Sequence, residues 1–259
     1  MTISHFSDFI RAVEKFRGQA RKPNELWYRG HGAETYKLEP FIHRGRVSTD
    51  RADIELKEQA VYDEFVRRSP LYDVHKRDQW DLLFLMQHYR APTRLLDWTA
   101  SPLVALFFAL MAEDKKEHSV IWCLDPGEWN ATILADINEP ARIFTTDEGL
   151  VKQYHPTFSE KSNRTEPLAI QGIMNNPRIN AQKGRFVIFG SEPKPLEEYA
   201  KQYKLKPGGP ILSRLLIDKD AKSVILKDLE SYGITYSTIF PDLEGLAIEI
   251  RRHHGGPHV

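Results

Sequence analysis

The segment APTRLLDWTASPLVALFFALMAEDKK, residues 91–116, constrains the fold more than any other. Pro92 opens a short strand through Trp98, Ser101 is placed to cap a helix, and Pro102 occupies the first helical turn, where its missing N–H is not needed. An apolar helix then runs to about Glu113, and HSVIWCLDP follows as a buried strand ended by Pro126. Upstream, Ser7 is placed to cap a helix over residues 7–16, in which Phe9, Ile10, Val13 and Phe16 recur at helical spacing. ELWYRGH reads as the first strand, the charged stretch from about Asp50 to Arg68 as a half-exposed helix, and RDQWDLLFLMQHY as a more deeply packed one. Gly127 to Asn176 is polar and irregular and reads as a long loop with one or two short helices. Strand character resumes in AQKGRFVIFG and PILSRLLID. Helices are expected at PLEEYAKQY, at KDAKSVILKDLESYG closed by Gly233, and at LEGLAIEIRRHH. Strands and helices mix without strict β-α-β alternation, so the expected class is α+β.

At 259 residues the chain can bury a full core without staples, and one domain with a small helical cap is expected. Lysine plus arginine and aspartate plus glutamate both total 36, so no global field draws the protein to nucleic acid or membrane, and any anion site must be local. No run approaches membrane-spanning length and the N-terminus lacks a leader pattern, which gives a soluble, cytoplasmic protein without a membrane partner as the expectation. The lone cysteine, Cys123, sits in an apolar run with nothing basic beside it and reads as an inert buried thiol.

Arg29, between Tyr28 and Gly30 in WYRGH, has two readings: the partner of a carboxylate, or a fork gripping a phosphate or ribose with Gly30 letting the ligand approach the backbone. His31 either adds a donor or lies on the solvent side. In TRLLDWTASP, strand alternation puts Leu95, Asp97 and Thr99 on one face and Arg94, Leu96 and Trp98 on the other. Arg94 and Asp97 are candidates for ligand contact or for ion pairs. Thr99 and Ser101 stand at a strand end and helix start, where backbone donors gather and where hydroxyls often only cap. NPRINAQKGRFVIFG offers Arg178, Asn180 and Gln182 on one strand face, continued by Gly184 and Phe186. That row is either the wet side of a strand or a line of hydrogen-bonding groups along a cleft. Asp242 and Glu244 begin a helix, where acidic side chains suit the dipole. No nucleophile elbow is present, and the ten histidines show no metal-binding spacing; HHGGPH near the C-terminus reads as a solvated tail.

Taken together, WYRGHG, QHYRAPTRLLDWTASPLVALFFA, NPRINAQKGRFVIF and TIFPDLEGLA resemble the FRG domain family, named for an aromatic-Arg-Gly motif. The resemblance implies one domain over residues 1–259 with its core at about 20–250. One departure is Arg90, where the family pattern implies glycine. A weaker resemblance links the chain to arginine-type ADP-ribosyltransferases, which open on a YRG strand, continue with a strand carrying Ser or Thr before an Ala- and Phe-rich helix, and end on a strand bearing a glutamate. This second resemblance implies a split mixed or antiparallel sheet with a helical cap, and NAD as substrate. Arg29 would hold the ribose or pyrophosphate, Thr99 and Ser101 the nicotinamide ribose, and Gln182 a ribose hydroxyl. ADP-ribose would pass to a macromolecular or nucleotide acceptor, in the setting of a toxin or a phage-defence effector.

Gln182 is neutral where that pattern carries a carboxylate. One charge at about 4 Å and an effective dielectric of about 20 is worth about 4 kcal/mol, or roughly a thousandfold in rate. Asp97, Glu244 and Asp242 are the candidates to supply it. The alternative is a non-catalytic nucleotide- or nucleic-acid-binding module, with Trp27, Tyr28, Tyr89 and Trp98 stacking bases beside Arg29, Arg90 and Arg94. Metal-free phosphoester hydrolysis by His31, His88 and Asp97 is a third reading.

Overall fold

The computed structural model describes residues 2–22, 25–44, 51–72, 78–111, 116–158, 165–173, 176–190, 192–205 and 209–255. Among the described residues the strands are β1 (Thr2–Ile3), β2 (Trp27–His31), β3 (Leu95–Thr99), β4 (Ser119–Leu124), β5 (Phe144–Thr145), β6 (Leu168–Gln171), β7 (Gly184–Ile188) and β8 (Leu212–Ile217). They form one open sheet in the order β1-β8-β4-β2-β3-β7-β6-β5. The two outermost pairings, β1 with β8 and β5 with β6, are parallel and the inner ones antiparallel, which makes an α+β protein with a mixed sheet.

β2 runs in register with β4 along its whole length, from Trp27 against Leu124 to His31 against Val120, yet it meets β3 only at Tyr28 opposite Thr99. β3 in turn pairs fully with β7. The sheet therefore parts in its middle, between the two strands that carry Arg29 and Asp97.

Helices cover both faces. On one, α1 (Phe6–Arg17), α4 (Pro102–Leu110) and α9 (Lys222–Ser231) pack Phe9, Phe107 and Ile225 against Tyr28, Ile121 and Ile217. On the other, α3 (Gln79–His88), α5 (Pro126–Ile133) and α8 (Leu196–Gln202) bring Phe84, Trp129 and Tyr199 onto Leu96, Ile170 and Val187. Each such fully buried large side chain is worth about 1.5–3 kcal/mol of transfer free energy. α4 begins as its sequence requires, with Ser101 accepting the Val104 N–H at 3.4 Å and Pro102 in the first turn. It ends at Leu110; residues 112–115, which hold the expected end at Glu113, lie outside the described residues. β2 can approach α4 closely because Gly30 has no side chain: a Cβ there would meet the Ala105 carbonyl oxygen at 2.0 Å and the Ala109 nitrogen at 2.6 Å.

Three expectations are corrected. α1 starts one residue earlier than Ser7, with His5 at its N-cap and no side-chain cap. The expected long loop from Gly127 holds two short helices as anticipated, α5 and α6 (Gly149–Lys152), but also the strands β5 and β6, the latter with Leu168, Ala169 and Ile170 buried between helices and β7; residues 159–164 lie outside the described residues. Arg178, Asn180 and Gln182 do not share a strand face. Asn176 accepts the Arg178 N–H at 2.8 Å and Pro177 pre-sets the first turn, so Pro177–Ala181 forms a short helix, α7, with Gln182 at its C-cap. A further one-turn helix, α10 (Tyr236–Ile239), precedes α11 (Leu243–His253). Of the HHGGPH tail, residues 256–258 lie outside the described residues.

Candidate functional site

A cavity of about 360 Å³ lies where β2 and β3 part, at the small end of the roughly 300–1,000 Å³ usual for ligand pockets. β2 contributes Tyr28, Arg29 and Gly30, and β3 contributes Asp97, Trp98 and Thr99. Gln87, His88 and Arg90 come from the end of α3, and Arg178 and Gln182 from α7. Phe84, Phe108, Phe186 and Phe240 supply apolar walls. Three arginines and a single carboxylate thus face one space in a chain of zero formal charge, which makes the cavity locally cationic.

Arg29 sits at the gap. Its Nε donates to His31 Nε2 at 3.0 Å and its Nη1 donates to the backbone carbonyl of Asp97. It makes no ion pair among the described residues, so a carboxylate partner is not what the guanidinium holds. Protein surrounds the group although one face opens on the cavity, and burial pulls its pKa down to about 10 against the pull of the Asp97 charge, leaving it cationic at neutral pH. His31 is buried, and burial together with the Arg29 charge lowers its pKa to about 3. As acceptor from Arg29 it is a neutral imidazole with its proton on Nδ1, and it orients the guanidinium rather than facing solvent.

Asp97 opens on the cavity, and the surrounding protein raises its carboxyl above the usual range, with Arg29 and a hydrogen bond opposing. That bond comes from Gln87 Nε2, at 2.7 Å from Oδ2, while the Gln87 carbonyl oxygen accepts the Thr93 hydroxyl. Thr93 therefore fixes which end of the amide faces the carboxylate. Gln87 was not among the sequence candidates; its signal is an amide at the end of the otherwise apolar run LLFLMQ.

The other candidates divide. Thr99 lines the cavity, but its hydroxyl donates to the Gln182 carbonyl at 2.6 Å and accepts the Ser101 N–H at 3.0 Å, tying the end of β3 to α7. The Gln182 amide lines the cavity and donates to the Ile239 carbonyl at 3.3 Å. Arg178 lines it too, with Nη2 at 2.7 Å from Asp242 and its guanidinium over the Phe240 ring. Gly30 lines it through backbone only, its Cβ direction being filled by α4. Tyr28 is buried on the α1 side, where burial raises its phenol well above the ordinary range. Ser101 caps α4, Asn180 is exposed on α7, and neither lines the cavity. Glu244 stands outside it with its side chain 79% exposed, and Asp242 caps α11 by accepting the Gly245 N–H at 2.9 Å. Arg94 is buried away from the cavity in an ion pair with Glu58 of α2 (Arg51–Arg68), and its Nη2 donates to the Tyr154 carbonyl at 2.9 Å. Trp27 and Trp98 are core residues with no exposed ring face to offer a base; Tyr89 is exposed.

Among the described residues no group of three or more His, Cys, Asp or Glu is placed to hold a metal ion, and no helix is long and apolar enough to cross a membrane. Residues 24–118 match the family model of the FRG domain. The match spans β2, α3, β3 and α4, and with them Arg29, Gln87, Arg90, Asp97 and Thr99, while Arg178 and Gln182 fall beyond it. No curated protein and no solved structure matches the chain.

Proposed function

We propose that the cavity binds NAD and that the protein is an ADP-ribosyltransferase-like enzyme. The observation that carries this reading is the convergence of Arg29, Thr99 and Gln182, from three distant parts of the chain, on one locally cationic cavity at the gap in the sheet. In the reaction the bond between ribose C1′ and the nicotinamide nitrogen breaks, with its electron pair leaving on nicotinamide. An acceptor oxygen or nitrogen then bonds to C1′ and loses its proton. Arg29 supplies a fixed cation for the ligand's phosphates or ribose. Of the three candidate carboxylates only Asp97 faces the cavity, so it is the group that offsets the positive charge growing at C1′. The acceptor is a macromolecule or a nucleotide.

A second reading, a module that binds a nucleotide without turning it over, is favoured by one observation: the Thr99 hydroxyl and the Gln182 amide already bond within the protein. Calorimetry with NAD, combined with measurement of free nicotinamide, separates the two. Binding with release supports the enzyme, and binding without release, with or without candidate acceptors, supports the module. Arg29→Ala is expected to abolish both signals in a protein whose melting is checked in parallel, and to relieve any toxicity that expression causes. Failure of the native protein to bind NAD sinks the enzyme reading and leaves the module only with a different nucleotide as its ligand.

A further inference from the structure

Arg90 follows α3 with φ at 60°, in the left-handed region, its N–H closing a turn on the Gln87 carbonyl at 3.0 Å. A Cβ is mildly strained there where glycine would not be, as it is at Asn138, Lys183 and Lys204, which also hold positive φ. The turn itself does not need the guanidinium. Arg90 is exposed, and its side chain makes no hydrogen bond or ion pair among the described residues. It nevertheless lines the same cavity as Arg29, whose Nη2 also makes no hydrogen bond among the described residues. Arg178, the remaining lining arginine, is neutralised by Asp242. The cavity thus holds two uncommitted guanidinium edges, a half-buried one on β2 and an exposed one at its mouth.

We propose that Arg90 and Arg29 form a phosphate subsite that grips the pyrophosphate of the ligand, Arg90 from the mouth and Arg29 from within. This rests on the nucleotide reading above and assigns the part of the ligand that each arginine holds. Two guanidiniums suit a pyrophosphate because each can donate a pair of parallel N–H bonds to phosphate oxygens.

The test is Arg90→Gly, because strain and binding then move in opposite directions. Melting temperature, inorganic pyrophosphate affinity, NAD affinity and nicotinamide riboside affinity are measured on the native protein and the variant. Melting is expected to rise, pyrophosphate and NAD to bind about ten- to hundredfold more weakly, and the phosphate-free nucleoside to be unaffected. A variant that melts higher and binds pyrophosphate and NAD as before overturns the subsite while leaving the NAD reading intact. Pyrophosphate binding weakened by the variant, in a protein that does not bind NAD, keeps the subsite and removes the NAD reading. Native protein that binds neither removes both, and a variant that melts lower shows the arginine serving the fold and overturns the proposal.

Discussion

Tyr28 and Thr99 are the single residue pair in register between β2 and β3. On either side of them the backbones separate, and the Arg29 side chain supplies Asp97 with a donor where no backbone N–H of β2 reaches it. The arginine thus bridges the gap it lines. Its Nε is fixed on His31 and its Nη1 on β3, so the remaining edge is presented to the cavity without further ordering, which lowers the entropy cost of holding a ligand.

The glycine beside it serves the fold. A methyl group at position 30 meets backbone atoms of α4 at 2.0 and 2.6 Å, and neither can swing aside as a side-chain end would. Gly30→Ala is expected to cost about 3 kcal/mol, the upper part of the overpacking range. Urea unfolding measures it, and a cost below about 0.5 kcal/mol would show that α4 shifts freely.

Arg94 is predicted to matter for stability alone. Its ion pair with Glu58 is buried and isolated from the cavity, and removal of either partner strands the other charge. Arg94→Met or Glu58→Leu alone should each cost about 3–5 kcal/mol, and the double replacement less than either single one. A double-mutant cycle in denaturant reads the coupling. Additive costs would deny the pair its significance.

How far the sequence discloses this arrangement depends on whether the deciding chemistry is local. Ser101, Pro102 and the apolar run after them specify the turn from β3 into α4 with little outside help, and the structure keeps it. Arg178 and Gln182 were legible as a pair but not as a helix. In five residues an i, i+4 spacing also fits the alternation of a strand, and only the Asn176 cap and Pro177 decide between them. β6 was missed because Leu168–Gln171 is a strand only between β5 and β7; alone it is four residues in a polar stretch. Arg90 could be read only as an arginine in place of an expected glycine. Its positive φ explains that expectation, since the turn is retained and the strain is borne by the arginine. Gln87 was illegible as a partner of Asp97 because their contact joins the end of α3 to β3 through the packing of the helix against the sheet.

Asp97→Asn tests the carboxylate. The Arg29 bond is to the backbone carbonyl and survives the change, so the effect isolates one negative charge. Nicotinamide release in a single turnover should fall about a thousandfold. NAD affinity should change much less than the rate, because the charge that Asp97 offsets grows chiefly in the transition state. An unchanged release rate would move the catalytic charge elsewhere.

Gln87 is a positioning residue, since it acts through Asp97. Its hydrogen bond lowers the Asp97 pKa against the rise caused by burial, so Gln87→Leu should raise that pKa further. The acid limb of the rate profile for nicotinamide release should then move to higher pH, with a rate loss of about tenfold at neutral pH. A loss of rate with the profile unmoved would mark a merely structural role.

His31 gives the fold a pH dependence that can be isolated. Its imidazole titrates near 6.5 when free and at about 3 in the fold, where burial and the guanidiniums of Arg29 and Arg44 oppose its charge. Between those values the unfolded chain binds the extra proton. The contribution is therefore complete above pH 6.5 and is lost as pH falls, with a slope of about 1.4 kcal/mol per pH unit. Buried His155, also lowered, acts in the same direction, whereas the raised carboxyls of Asp97, Asp125 and Glu197 act in the opposite one. Comparison with His31→Gln, which keeps an acceptor for Arg29 Nε, subtracts these other groups. The stability difference between native protein and variant should climb from about pH 4 to 6.5 and be flat above 7. A difference that is flat throughout would mean that the imidazole keeps its ordinary pKa, and that burial and the two guanidiniums do not oppose its charge.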